Sequence, residues 1–325
     1  MKATKLVKMT AAAAMAITMT ACSSGSASGS SSAAPAEPKT GVNSTYAYLL
    51  DTSDLEFPEL DLSNAEGVLA SVLEKGVLTI ATSPDYPCRE FIDASDNTLY
   101  GSEMMMAKYI ADALGVDLAV EQMDFNATLA AVDTGKVDLA MSGYGWKKDR
   151  EENYELSIGY VGDPNDESGH TLLIRAEDID KYNSLEDFAG THIIAQANSL
   201  QEMYATDQIV ALDPENTVLE PVTSLADAIM SINADKCDAV SMDKTTAKQY
   251  AAQSEGTLIS MAEAKGVQYD TSMYGNHEGN IAAAKKGETD LIETVNEIIQ
   301  FVEDHGWYQE WYKIAEEQAG VGTDE

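Results

Sequence analysis

Basic residues are scarce in this chain: of 325 residues, 20 are Lys or Arg against 55 Asp or Glu, a formal charge of −35. A field of that sign repels phosphate backbones and anionic membrane surfaces, so nucleic acid is not an expected partner and a heavily hydrated surface is. Cysteine is scarcer still, with Cys22, Cys88 and Cys237 the full set. No Cys-x-x-Cys pair exists. The four histidines, His170, His192, His277 and His305, show neither a His-Glu-x-x-His pattern nor close spacing. Nothing in the sequence therefore calls for a metal or another cofactor. Cys88 and Cys237 read as unpaired or buried thiols, because a chain of this length needs no disulfide staple. Long apolar runs are missing too, with one exception at the start.

That exception sets the compartment. Lys2, Lys5 and Lys8 precede an apolar, Ala-rich run from Met9 to Ala21 that stops at Cys22. The run is well short of the roughly 20 apolar residues a membrane-spanning helix needs, so residues 1–21 read as a secretory signal peptide. Met19-Thr20-Ala21-Cys22 looks like a bacterial lipobox, with Met19 in the place usual for Leu and Cys22 as the lipidation site. The alternative is an ordinary signal peptide in which Cys22 is incidental. A Ser/Gly/Ala-rich stretch from Ser23 to Ala36 follows and reads as a flexible tether, which favours lipidation. Removing residues 1–21 takes three of the 20 basic residues and none of the 55 acids, leaving −38. With no second apolar stretch, a lipid is the only expected link to the membrane, and a monomer is expected.

Residues 22–64 as a whole read as lipidated cysteine and linker, since the part from Pro35 to Leu62 shows no sustained period. From Ala65, short β-type runs alternate with helical patterns, the mark of an α/β chain with mostly parallel strands. Val77–Ala81 is the first strand. Met106, Ile110 and Leu114 then recur at spacing four, with Gly115 placed to cap the helix. One echo divides the chain: Lys136-Val137-Asp138-Leu139-Ala140 and Lys236-Cys237-Asp238-Ala239-Val240 each follow a helical pattern and open a β-run. Two similar units are implied, the second with Ser224 and Asp227 at a helix start. Open sheets of this kind place ligands at strand ends, here in a shared cleft. Near the end, Leu291, Val295, Ile298, Ile299 and Val302 share one helical face before Gly306, and Trp307, Trp311 and Tyr312 follow at helical spacing. Both patterns read as packing.

Seven ordered stretches resemble one known family. They are Ala81-Thr82-Ser83-Pro84-Asp85-Tyr86-Pro87; Tyr100-Gly101 leading to the helix end at Ala107–Gly115; Met123-Asp124-Phe125-Asn126; Gly135-Lys136-Val137-Asp138-Leu139-Ala140; Arg150 with Ser157 and Tyr160; Leu185-Glu186-Asp187-Phe188-Ala189-Gly190; and Asp238-Ala239-Val240-Ser241-Met242-Asp243. From Gly76 to Gly320 the chain is similar to the family 3 solute-binding proteins of polar amino-acid ABC importers. The resemblance implies a two-lobe fold of the type II periplasmic-binding-protein kind, with a ligand cleft between lobes joined by a hinge that the chain crosses twice. Residues 65–160 and 280–325 would form the first lobe and residues 167–273 the second. It implies an amino acid as ligand and an ABC permease as partner.

A free amino acid presents a carboxylate and an ammonium, and burying either unpaired costs several kcal/mol. Arg150 is, by the resemblance, the fork that takes the carboxylate with two parallel hydrogen bonds, which Lys cannot reproduce. Asp243 would take the ammonium, Ser199 would offer a hydroxyl and backbone N–H to the carboxylate, and Tyr86 and Phe125 would flank the ligand's side chain. Gly143, Lys147 and Asn198 complete the expected ligand-binding set. Each has a plainer alternative. Arg150 sits in a charged turn that reads otherwise as solvated surface, Asp243 suits a helix cap, and Tyr86 and Phe125 suit a core. The chain also departs from the family pattern. Gly145 replaces a hydroxyl, Lys147 a Thr, Asn198 a frequent Gly, Cys88-Arg89 the usual Pro-Phe, and Met105 an Asp. If Lys147 or Arg89 faces the cleft, a ligand with a second carboxylate is favoured; if both face water, nothing follows.

No Gly-x-Ser-x-Gly elbow, Gly-rich phosphate loop or paired histidine is present, so a binding protein is expected rather than an enzyme. The alternatives are a cyclohexadienyl-dehydratase-like enzyme, which would need Glu90 or Glu278 facing the cleft with a raised pKa, and a surface sensor on the same fold.

Overall fold

The computed structural model describes residues 45–162, 169–274 and 279–320. The signal peptide, Cys22 and Glu278 lie outside these residues. In chain order the first region holds α1 (Gly67–Lys75), β1 (Val77–Thr82), β2 (Asp85–Tyr86), β3 (Glu90–Asp93), β4 (Thr98–Tyr100), α2 (Ser102–Ala113), β5 (Asp117–Gln122), α3 (Phe125–Asp133), β6 (Leu139–Tyr144), α4 (Lys148–Asn153) and β7 (Tyr154–Leu156). The middle region holds β8 (His170–Arg175), β9 (His192–Gln196), α5 (Leu200–Gln208), β10 (Val218–Val222), α6 (Leu225–Asn233), β11 (Ala239–Asp243), α7 (Lys244–Gln253), β12 (Leu258–Ser260) and α8 (Met261–Lys265). Then come β13 (Ile281–Lys285), α9 (Thr289–Asp304) and α10 (Trp307–Gln318).

Two five-stranded sheets result, ordered β5-β1-β6-β13-β7 and β10-β9-β11-β8-β12. In each, the first three strands run parallel, as the alternating strand and helix pattern implies, and the last two pairings are antiparallel. The antiparallel half arises where the chain passes between sheets: β8 enters the second sheet beside β11, and β13 re-enters the first between β6 and β7. The two passages meet at Tyr160 and Asn280, which exchange both backbone hydrogen bonds at 2.9 Å. Gly279 is required there. Its φ is +80°, and a Cβ would stand 2.3 Å from the Tyr160 carbonyl oxygen.

The sequence echo is structural. Asp138 and Asp238 each stand just before the third strand in the order of their sheet, β6 or β11, and clip the second, β1 or β9: an Asp138 carboxylate oxygen accepts from Thr79 N at 2.7 Å, and one of Asp238 accepts from His192 N at 2.8 Å. Ser199, Ser224, Asp243 and Ser260 cap α5, α6, α7 and α8, each accepting from a first-turn backbone N–H. In α9 the apolar face of Leu291, Val295, Ile298, Ile299 and Val302 is buried, as its spacing predicts.

One expectation is corrected. Residues 45–62 are irregular but are not a flexible linker. Leu49 is buried, Tyr46, Leu50, Leu55, Leu60 and Leu62 pack on the first region's core, and Phe57 stacks on Tyr109. The Tyr109 hydroxyl donates to Glu56 O at 2.6 Å, and Thr52 Oγ1 donates to Asp112 at 2.6 Å. An extended strap inserts apolar residues singly, so it has no period to read. Its cover explains why α2 is buried from Ser102 to Ala111, with Lys108 paired to Asp112 inside it. Among the described residues no helix is long and apolar enough to cross a membrane. Cys88 and Cys237 are buried and not bridged.

Candidate functional site

The strand ends of both sheets converge on a cavity of about 230 Å³. From the first region come Tyr86 at the end of β2, Arg89 in the turn to β3, Phe125 opening α3, Gly143 in β6 and Arg150 in α4; from the middle region come Ser199 and Asp243, the caps of α5 and α7. Of the residues picked from the sequence, six therefore line one cavity: Tyr86, Phe125, Gly143, Arg150, Ser199 and Asp243. The other two stand at its margin. Lys147 Nζ lies 3.4 Å from Asn198 O and 3.6 Å from Asp149, and Asn198 turns its amide to Asn126 Oδ1 at 3.0 Å.

Arg150 is 3% exposed. It donates to Gly145 O and to Asn198 O, both at 2.7 Å, so one guanidinium joins the two sides of the cleft. It lies against a pair of touching rings, 5.1 Å from Tyr144 and 5.7 Å from Phe125, whose centroids are 5.1 Å apart. Among the described residues it makes no ion pair, and burial pulls its pKa below the ordinary arginine value. Asn198 holds a left-handed φ of +61°, and its backbone N donates to Glu202, which turns its carbonyl toward Arg150.

Arg89 carries only a conditional role in the sequence reading. The short hairpin β2–β3 aims it into the cavity, where it lies 5.1 Å from the Tyr86 ring and 5.2 Å from the Tyr312 ring. It donates to Asn280 Oδ1 at 3.3 Å and to Tyr312 Oη at 3.2 Å. Gly143 makes room for this stack. Its φ is +54°, and a Cβ would stand 2.5 Å from the Tyr86 ring and 3.1 Å from Arg89 Cδ.

Across the cleft, Asp243 Oδ1 accepts from Thr246 N at 3.0 Å while its side chain lines the cavity, so the cap and the cleft position coexist. Ser199 Oγ accepts from Glu202 N at 3.1 Å. His170, which no sequence pattern marked, lines the same wall. Burial pulls its pKa to about 4, so its ring is neutral near pH 7, and Gln201 sits 3.1 Å from its Nδ1. Asp85 also bridges the cleft, accepting from Leu225 N at 3.0 Å and from Gln196 at 3.1 Å.

Beneath the cavity is a buried carboxyl pair. Glu103 accepts from Tyr160, Asn280 and Tyr308 at 2.7 to 2.9 Å. Glu90 accepts from Ser142 at 2.9 Å, and its other oxygen has no partner among the described residues. Burial, then the nearby Glu103, pushes Glu90 well above the carboxylate range. Glu90 lies under the cavity and is not among the residues that line it.

The model of the bacterial extracellular solute-binding proteins, family 3, matches residues 78–314. The arginine-binding extracellular protein ArtP of Bacillus subtilis is 25% identical over 236 residues, covering 71% of this chain and 83% of that one. A crystal structure of an amino acid ABC transporter substrate-binding protein from Streptococcus pneumoniae, bound to L-arginine, has a TM-score of 0.67 and 31% identity, covering 79% of this chain and 99% of that one. The cyclohexadienyl dehydratase of Pseudomonas aeruginosa is 26% identical over 179 residues, covering 52% of this chain and 64% of that one.

Proposed function

The chain belongs to the bacterial extracellular solute-binding proteins, family 3, and from that membership we propose that it captures an amino acid outside the cytoplasmic membrane by lobe closure and hands it to an ABC permease. The observation that carries this reading is Arg150: a guanidinium 3% exposed, between two lobes, with no carboxylate partner among the described residues. A buried cation is stable only with a counter-charge, and a ligand carboxylate supplies one with the fork geometry that arginine offers. Asp243 receives the ammonium, Ser199 adds its hydroxyl and backbone N–H, and Tyr86 and Phe125 flank the side chain. Lys147 and Asn198 act from the margin.

Residues 65–160 with 280–325 form one lobe and residues 167–273 the other. Closure is a population shift: the ligand holds the two sides in contact where Arg150 and Asp85 already bridge them. Cys22 anchors the mature chain by lipid on the outer face of the membrane. The dehydratase reading asks for a carboxyl on the cavity wall, and Glu90, with its raised pKa, lies beneath it.

The test is thermal unfolding with each proteinogenic amino acid. A ligand that binds the folded state raises the midpoint by mass action, by about 2.7 kcal/mol in stability at a hundredfold excess over Kd. Stabilisation that disappears in Arg150→Ala supports capture; a response that survives that substitution would remove Arg150 from the site.

A further inference from the structure

We propose that the cavity selects an α-amino acid bearing a second acidic group, with Arg89 holding the distal carboxylate. This deepens the capture reading above and rests on it.

The argument is a balance of charge and donors. Arg89 and Arg150 both line the cavity, and neither makes an ion pair among the described residues. A guanidinium has five N–H donors. Arg150 uses donors on Gly145 O and Asn198 O, and Arg89 on Asn280 Oδ1 and Tyr312 Oη, so each retains donors for a ligand. Each guanidinium lies against two aromatic rings, which limits its orientations and lowers the cost of ordering it.

Facing these two cations is one lining carboxylate, Asp243. His170 adds no charge near neutral pH because burial keeps it unprotonated. Of the other acids nearby, Glu90 lies beneath the cavity with its pKa pushed well above the carboxylate range by burial, which weakens it as a counter-charge, and two more are engaged elsewhere. Asp85 is on Leu225 N and Gln196, and Glu103 stands behind Asn280 with its oxygens on Tyr160, Asn280 and Tyr308. Burial also raises Glu103, which weakens it as a counter-charge for Arg89.

A zwitterion brings one charge of each sign. Its carboxylate matches Arg150 and its ammonium matches Asp243, which leaves the Arg89 guanidinium in a closing, dehydrating cleft with tyrosines and an amide for company. A second carboxylate completes the pairing. Gly143 fits this account, since a side chain there would displace the Tyr86–Arg89 stack. A cationic ligand such as arginine would instead bring like charge against Arg89.

The experiment is calorimetric titration of the full chain with L-glutamate, L-aspartate, their amides L-glutamine and L-asparagine, and L-arginine, repeated with Arg89→Gln and Arg89→Lys. An acid should bind at least about tenfold more tightly than its amide, and Arg89→Gln should bring the two within about threefold. Preference for an amide or for arginine overturns the second-carboxylate claim and leaves amino-acid capture standing. Silence to all five overturns the second-carboxylate claim, and silence in the thermal test with every proteinogenic amino acid as well sinks both readings. An acid preference unchanged in Arg89→Gln overturns the assignment to Arg89. Should that variant fail to fold, the acid-to-amide ratio of the natural chain still decides.

Discussion

The two sheets share an order and a clip, yet the two halves bring opposite charges to the cavity. In the half built on β1, the loop after the first strand is a hairpin, β2–β4, that carries Arg89, and α4 adds Arg150. In the half built on β9, the loop after the first strand runs straight into α5, and the cavity receives helix caps, Ser199 and Asp243. One scaffold used twice thus yields an arginine wall and a wall of caps, because the insertion at one strand end has no counterpart at the other. The difference teaches that the cavity takes its charge from the loops and helix ends at the strand ends, while the strands only set where those loops meet.

The sharpest way to break this comparison is to remove one charge from each wall. Arg150→Ala should weaken binding of the ligand by roughly a hundredfold or more, measured by titration calorimetry. Asp243→Asn, which keeps an oxygen for the Thr246 cap, should cost about tenfold. If the Asp243 variant is hit harder, the arginine wall is not the dominant one.

His170 on one wall and Glu90 beneath the cavity should titrate with opposite sign. His170 has a folded pKa of about 4 against an ordinary 6.5. As pH falls from 6.5 toward 4 the unfolded chain takes up a proton that the folded chain refuses, so stability is lost, by up to about 3 kcal/mol. Denaturant titrations at pH 7 and pH 5 should show this loss, and His170→Gln should reduce it. Glu90 runs the other way. Its folded pKa lies well above 4.5, so the stability it contributes is present below pH 4.5 and lost as pH rises toward its folded pKa. Glu90→Gln should therefore raise the melting point at pH 7 and leave it unchanged near pH 4. A destabilised Glu90→Gln at pH 7 would mean that the carboxylate form is the one the fold uses.

The smallest effects concern the matched clips. The Asp138 side chain is 11% exposed and also holds Lys75, whereas that of Asp238 is 37% exposed. Asp138→Asn should cost about 1–2 kcal/mol in chemical denaturation and Asp238→Asn about half that. Equal costs would make the two halves energetically as well as topologically alike.

Much of this was legible in the sequence, for identifiable reasons. Alternating periods gave the α/β class, and the Lys-x-Asp echo marked the third strand of both sheets because an aspartate is needed there to meet a backbone N–H. Arg150 was legible through its spacing to Ser157 and Tyr160. Arg89 was not, because its direction depends on a hairpin whose β2 is two residues long. Lys147, two positions from Gly145, gave no sign that it would turn to Asn198 and Asp149. The inward turn of His170 follows from strand pairing with Asp243 across β8 and β11, which no local pattern encodes.

The strap over α2 has a consequence for shortened forms of the chain. A cut near residue 64 would strip cover from Tyr109 and leave the Lys108–Asp112 pair without the Thr52 hydroxyl that caps it. Proteolysis there would give a fragment that associates with itself through the uncovered Tyr109 face.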